Sequence, residues 1–145
     1  MAKENSMDLI VMLEDVYKSA PKLPENARET LVKITPWIAL IFGILGVLAG
    51  LSLVGVSPLG LFGGVRNGAM VLISGVAAVV ASVMMLMAYP KLQKRQMGGW
   101  VLLFWSEVVN IVSSLLTLSI GSVISTVIWA AIAFYILYQI KSYYK

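Results

Sequence analysis

A row of polar side chains within an apolar stretch is the part of this sequence best equipped for chemistry. Its members are Glu107, Asn110, Ser114 and Thr117. At 3.6 residues per turn, this spacing places all four on one face of an α-helix. Glu107 is the only acidic residue beyond Glu29, so the row contains a single group that can ionise. The sequence therefore predicts a helix with one polar stripe.

The helix that carries this polar stripe is expected to be one of four membrane spans. The chain of 145 residues is 59% hydrophobic and 12% charged, with a mean hydropathy of +0.89. Four apolar blocks are each long enough to cross a hydrocarbon layer about 30 Å thick. The predicted spans cover about residues 36–54, 68–89, 100–116 and 122–140. The predicted fold is therefore all-α, the four-helix transmembrane bundle of a polytopic membrane protein at 36–140.

The segments outside the spans are expected at the membrane surface. Residues 1–34 are predicted to form a cytoplasmic or interfacial amphipathic helical segment, because apolar residues such as Leu9, Leu13 and Val16 recur on one helical face. This segment would either lie on the membrane or dock a partner, and both possibilities stay open. Residues 141–145 are predicted to be a cytoplasmic tail.

Proline and glycine indicate where the helices begin and end. Thr35-Pro36 is either a helix start or a kink in a longer helix. The Gly-rich segment 55–67 is predicted to be an interfacial loop. Pro90 is predicted to end the second span, and a short basic loop would follow it as far as Gly98.

Basic residues predict the orientation of the spans. With four spans, the N-terminal segment, the loop at 90–98 and the C-terminal tail share one side. That side holds ten of the eleven lysines and arginines, and Arg66 alone lies on the other. Lysine and arginine are enriched on the cytoplasmic side of membrane proteins. We therefore expect a multi-pass protein of the plasma membrane, the inner membrane of a bacterium, with both termini cytoplasmic.

Glu107 is predicted to lie deep in the third span, about 12 Å from its start at 1.5 Å per residue. An ionised carboxylate at such a depth costs about 2 to 3 kcal/mol. No lysine or arginine occurs in the other predicted spans, so Glu107 is expected either to be protonated or to face a wet cavity or hydrogen-bond donors. Two interpretations stay open: a functional group that titrates, or a strut that joins helices by hydrogen bonds.

Small residues recur along the first two spans and predict close helix packing. They are Gly43, Gly46 and Gly50 in the first span, and Ser74, Ala78 and Ser82 in the second. Small residues let helix backbones approach closely in lipid. We favour packing within the bundle over a dimer interface for these faces. A tight hairpin of the third and fourth spans, with a polar seam, is also expected.

Several function classes are disfavoured by residue types that the sequence lacks. The chain has no histidine and no cysteine, so imidazole and thiolate chemistry is excluded and no metal or cofactor site is expected. An enzyme is not expected either, because no second membrane carboxylate accompanies Glu107. A nucleic-acid partner is not expected, because no soluble basic domain is present. The expected partners are the lipid bilayer and other membrane helices.

Two aromatic stretches carry a family resemblance. Gly99-Trp-Val-Leu-Leu-Phe104, together with the closing residues 134–145, resembles uncharacterised small four-span bacterial integral membrane proteins. This resemblance implies the four-span fold and brings no assigned activity. The expected function is non-catalytic helix–helix association, as a homo-oligomer or as an accessory subunit of a membrane complex. The alternative is a small oligomeric channel or proton-coupled transporter that uses Glu107.

Overall fold

A computed structural model describes residues 2–117 and 119–145 and leaves Met1 and Leu118 outside the described ranges. The helices are α1 (Ala2–Lys18), α2 (Glu25–Gly60), α3 (Val65–Gln93), α4 (Met97–Leu116) and α5 (Ile120–Ile140), with short 3-10 turns at Leu61–Gly63 and Lys141–Tyr143. No strand occurs among the described residues. Helices α2 to α5 are long and apolar enough to cross a membrane. The prediction of an all-helical membrane protein with four transmembrane helices is confirmed at this level.

Three of the predicted helix ends differ from the structure. Helix α2 runs through Pro36 and on to Gly60, so Thr35-Pro36 lies inside a longer helix. The predicted loop at 55–67 is wrong, because all of its residues except Gly64 belong to α2, the 3-10 turn or α3. Helix α3 continues past Pro90 to Gln93, and the prediction that Pro90 ends it is wrong. Proline removes one backbone donor and strains the turn before it, but the residues after it remain free to be helical. In lipid, a backbone that left the helix would lose its hydrogen bonds, which favours continuation.

The turn between α2 and α3 depends on one glycine. Gly64 has a φ of 106°, in the region that L side chains rarely adopt. Its amide donates to the carbonyl of Leu61 at 2.9 Å, and its own carbonyl accepts from Asn67 at 3.0 Å. Gly64 therefore closes the 3-10 turn and starts α3 within a single residue.

Helices α2 and α3 form the closest helix pair, and glycine makes this possible. A methyl group on Gly50 would lie 2.8 Å from the carbonyl oxygen of Gly75, and one on Gly75 would lie 2.9 Å from the carbonyl oxygen of Gly50. Further along the same contact, Gly46 faces Ser82 and Gly43 faces Leu86. All three glycines of the first predicted small face are thus used for packing inside this chain.

Large side chains are buried where the start of α4 meets the end of α5, a region we call the termini end. The largest fully buried side chains are those of Trp100, Phe104, Ile140 and Ser106, together with Leu92 at the end of α3. The Trp100 ring stacks on Phe104 with centroids 5.7 Å apart, and its Nε1 donates to the Leu137 carbonyl at 2.7 Å. By contrast, many large apolar side chains of α2 and of the first half of α5 are exposed, as expected for surfaces that face lipid.

Helix α1 is held against α5 by tyrosines. The Tyr138 hydroxyl donates to the carbonyl of Ile10 at 2.7 Å, and the Tyr17 hydroxyl donates to the carbonyl of Ala131 at 3.0 Å. The Tyr17 and Tyr138 rings stack with centroids 5.4 Å apart. Helix α1 is therefore part of the packed structure at the termini end.

Gln139 ties the segment between α1 and α2 to α5, and sequence analysis gave no signal for this role. Its Nε2 donates to the carbonyl of Pro21 at 3.1 Å, and its Oε1 accepts from the amide of Leu23 at 3.1 Å. The Gln139 side chain is buried, and its amide bonds two backbone groups of this segment. The Pro21 carbonyl also accepts from the Tyr135 hydroxyl at 2.6 Å.

Candidate functional site

The four residues of the predicted polar stripe line one groove. Glu107, Asn110, Ser114 and Thr117 share a face of α4, as their spacing predicts, and this face borders a groove of about 490 Å³. Helix α3 contributes Ser74 and Ala78 to the opposite wall. Helix α5 contributes Ser122, Ser125, Thr126 and Trp129, and α4 adds Ser113. We call this space the polar groove, because most of its lining side chains carry a hydroxyl, amide or carboxyl group.

The predicted small face of α3 is divided between two surroundings. Ser74 and Ala78 line the polar groove, whereas Ser82 faces Gly46 of α2. A step of four residues advances slightly more than one full turn, so eight residues rotate the side-chain direction by about 80°. Ser74 and Ser82 therefore point to different neighbours although they belong to one repeat of small residues.

Near the connection between α4 and α5, the hydroxyl groups that line the polar groove have hydrogen-bond partners. The Thr117 hydroxyl donates to the carbonyl of Ser114 at 2.7 Å and lies 3.3 Å from the Ser122 hydroxyl. The Ser122 hydroxyl in turn donates to the carbonyl of Ser119 at 2.9 Å. The Ser114 hydroxyl is different, because it is buried and has no hydrogen-bond partner among the residues that the structure describes. The hydroxyl groups at the end of the groove therefore have partners, and the Ser114 hydroxyl lacks one.

Glu107 has no cation beside it. The ion pairs among the described residues use other carboxylates, namely those of Glu14, Asp15 and Glu29. No lysine or arginine lines the polar groove. The hydroxyl of the preceding residue, Ser106, donates to the carbonyl of Leu103 at 2.7 Å and not to Glu107. The Glu107 carboxyl group is therefore half-buried among neutral polar side chains.

A second groove meets the first at Glu107. It measures about 300 Å³, lies towards the termini end, and is almost entirely apolar. Its walls come mainly from α2, α4 and α5, with Met85 from α3, and include Ala39, Phe42 and Leu103. We call it the apolar groove. Glu107 borders both grooves, which sequence analysis missed because the position of α2 relative to α4 and α5 is set by packing between distant segments.

The packing of α4 corrects one expectation. Helix α4 packs more extensively on α3 than on α5, so the predicted tight hairpin of the third and fourth spans is wrong. The polar side chains of α5 face an open groove and do not form a closed seam. The physical reason is that Gly99 lets the start of α4 approach the backbone of α3, where a methyl group would lie 2.8 Å from the Leu92 amide nitrogen.

Fold and site together define a helical membrane protein with four candidate spans and a polar groove among three of them. Comparisons with protein-family models, with curated proteins and with solved structures find no match. The resemblance of residues 99–104 and 134–145 to four-span bacterial proteins stays a prediction. The function is therefore inferred from the geometry of this chain alone.

Proposed function

We propose that this protein acts without catalysis, by helix association in the membrane, as a homo-oligomer or as an accessory subunit of a membrane complex. The polar groove is the observation that carries this proposal. Its walls supply nine hydroxyl, amide or carboxyl side chains, including Glu107, which is in no ion pair among the described residues. The lining residues Ser125 and Trp129 of α5 are exposed. A polar surface of this kind is unsuited to contact with lipid chains.

We expect a helix to occupy the polar groove because polar groups that face hydrocarbon without a hydrogen bond cost free energy. A hydroxyl or amide group transferred into hydrocarbon without a hydrogen bond costs roughly 2 to 7 kcal/mol, depending on the reference state. A transmembrane helix seated in the groove would supply donors and acceptors, each bond contributing about 1 kcal/mol or somewhat less. Ser125 and Thr126 lie on α5 at the rim, and Glu107 and Asn110 lie on α4. Association would cover these groups and exclude lipid from them.

The proposed orientation has both termini in the cytoplasm and the protein in the plasma membrane, the bacterial inner membrane. The distribution of lysine and arginine supports it, since ten of the eleven belong to segments on one side of the spans. Helix α1 would then lie at the cytoplasmic surface as an amphipathic helix. The exposed apolar side chains of Met7, Met12 and Val16 are suited to contact with the lipid headgroup region.

A second function is favoured by one further observation, the position of Glu107 between the two grooves. In a small oligomeric channel or proton-coupled transporter, Glu107 would bind and release the proton. Asn110, Ser114 and Thr117 would line the polar half of the path. An enzymatic function remains outside the proposal, since a lone carboxyl group provides neither an acid–base pair nor an activated nucleophile.

Association is tested by single-cysteine cross-linking, which is clean because the chain has no cysteine of its own. Ser125→Cys places the thiol at the rim of the polar groove, and Ser52→Cys places one on the exposed face of α2 as a matched control. We expect a photoactivatable cross-linker, attached to the cysteine thiol in native membranes, to join the Ser125 variant to a neighbouring chain and not the Ser52 variant. A product at twice the mass identifies a second copy, and one at another mass identifies a different subunit. Equal cross-linking of both variants, or of neither, would contradict association at this groove.

The two proposed functions differ in what Glu107→Gln does. If Glu107 only forms hydrogen bonds, glutamine preserves most of them, and fold and cross-linking are expected to remain unchanged. If Glu107 carries protons, glutamine preserves its shape but abolishes the proton flux. The measurement is proton and cation flux into liposomes that contain purified wild type or variant. For the association proposal we expect no flux from either protein. A flux in wild type that the variant lacks would establish the transporter instead.

A further inference from the structure

A basic cavity lies at the termini end, apart from both grooves. It measures about 390 Å³, is partly open, and is lined by α1, the first turns of α2 and α4, the last turn of α5 and the stretch that follows it. Its charged lining residues are Lys18, Lys22, Arg28, Lys141 and Glu14. Small-molecule sites typically have volumes of about 300 to 1,000 Å³, so the space is adequate for a small ligand.

The positive charge of the basic cavity is only partly neutralised within the chain. Glu14 forms an ion pair with Lys141, and Lys18 pairs with Asp15 at 2.7 Å. Lys22 and Arg28 are in no ion pair among the described residues. Two cations of the lining are therefore left for an external anion, and no further carboxylate lines the cavity.

An unsatisfied donor also belongs to this cavity. Arg28 Nε is buried without a hydrogen-bond partner among the described residues. The Arg28 guanidinium is held over the Tyr143 ring, 5.9 Å from its centroid. A buried donor without a partner costs about 1 to 3 kcal/mol. An oxygen-rich anion in the cavity would accept this hydrogen bond as well as neutralise the charge.

We propose that the basic cavity binds a phosphate group, with Arg28 and Lys22 as its principal ligands. The planar guanidinium of arginine matches phosphate oxygens in two-point hydrogen bonds, and lysine contributes a compact charge. The cavity adjoins the ends of the spans, where phospholipid headgroups lie, and basic pockets between membrane helices bind such headgroups. A free phosphate compound offers the same chemistry, and experiment separates these two sources. This inference goes beyond the proposed function and does not depend on what fills the polar groove.

The test measures thermal unfolding of the purified full chain in neutral detergent. The added probes are phosphatidylglycerol, phosphatidylcholine, and inorganic phosphate compared with chloride at equal ionic strength. A ligand that binds only the folded state raises the melting temperature in proportion to its occupancy. We expect phosphatidylglycerol or inorganic phosphate to stabilise the protein and phosphatidylcholine to have little effect. Stabilisation by the lipid alone identifies a headgroup site, and stabilisation by inorganic phosphate identifies a site for a soluble compound.

Variants then assign the effect to the cavity. Loss of one charge-assisted hydrogen bond is expected to weaken binding by roughly tenfold in Arg28→Gln and in Lys22→Gln. Lys22 is exposed, so its substitution leaves the core intact even if Arg28→Gln folds poorly. The matched control is Lys94→Gln, which removes the same charge at an exposed residue outside the cavity. An equal loss of binding in Lys22→Gln and Lys94→Gln would overturn the proposal in favour of diffuse surface charge. Absence of stabilisation by every probe would overturn it outright.

Discussion

Replacing Trp100 with alanine is expected to lower the free energy of unfolding by about 3 to 5 kcal/mol. The Trp100 side chain has no exposed surface, stacks on Phe104 and meets the Tyr138 ring edge-on, with centroids 5.4 Å apart. Its Nε1 donor at the Leu137 carbonyl joins α4 to α5. Alanine would leave a cavity between the helices and remove the hydrogen bond, so both losses fall on the best-packed part of the molecule.

The measurement is unfolding of the purified protein in detergent, by heat or denaturant, with helical circular dichroism as the signal. Trp37→Ala is the matched control, because Trp37 is 55% exposed on α2 and contacts Tyr89 from the outside of the bundle. We expect this control to lose only a small fraction of the stability that Trp100→Ala loses. Similar losses in the two variants would show that the termini end is not the stabilising core.

Gly50→Ala is expected to destabilise the bundle by about 1 to 3 kcal/mol, the usual cost of forcing extra volume into a packed interface. The added methyl group would meet the Gly75 carbonyl oxygen and the Val79 amide nitrogen at 2.8 and 2.9 Å. Both are backbone atoms of α3, so no side-chain rotation relieves the contact. The two helices would have to separate, and the close packing along α2 and α3 would weaken.

Gly55→Ala is a control in the same helix, and its expected effect on stability is neutral or opposite to that of Gly50→Ala. Nothing lies within 4 Å of a methyl group at Gly55, and alanine favours the helix over glycine by up to about 1 kcal/mol. We expect Gly50→Ala to lower the melting temperature in detergent and Gly55→Ala to leave it unchanged or raise it. Destabilisation by both substitutions, to the same extent, would mean that glycine acts through helix flexibility and not through the α2–α3 contact.

Local patterns were sufficient to predict the features that depend on one segment at a time. Four apolar blocks predicted the four long helices, because a span is defined by its own composition and length. The spacing of Glu107, Asn110 and Ser114 predicted their common face, because helical geometry fixes which side chains are neighbours. Prolines were less informative, since lipid favours helix continuation at Pro36 and Pro90.

Features that join distant segments could not be predicted. The basic cavity brings Lys22 and Lys141 together from opposite ends of the chain, and no sequence pattern specifies that contact. The Gly50–Gly75 contact is similar, since small residues in two spans indicate close packing without identifying which residues meet. Tyr138 illustrates a further limit. Its hydroxyl donates to the carbonyl of Ile10 in α1, and no local pattern indicates a contact between residues so far apart in the chain.

The unequal helix lengths affect how the bilayer fits around the protein. At 1.5 Å per residue, α4 and α5 are about 30 Å long, which matches the thickness of the hydrocarbon layer. The uncharged part of α2, from Ile34 to Gly60, is about 40 Å long, and the turn beyond it exposes Phe62 almost completely. The apolar surface of the protein is therefore longer along α2 than along α4 and α5. Either the bilayer thickens beside α2 and α3, or these helices tilt. Because a thicker membrane needs less of either adjustment, we expect the protein to favour thicker regions of a membrane over thinner ones.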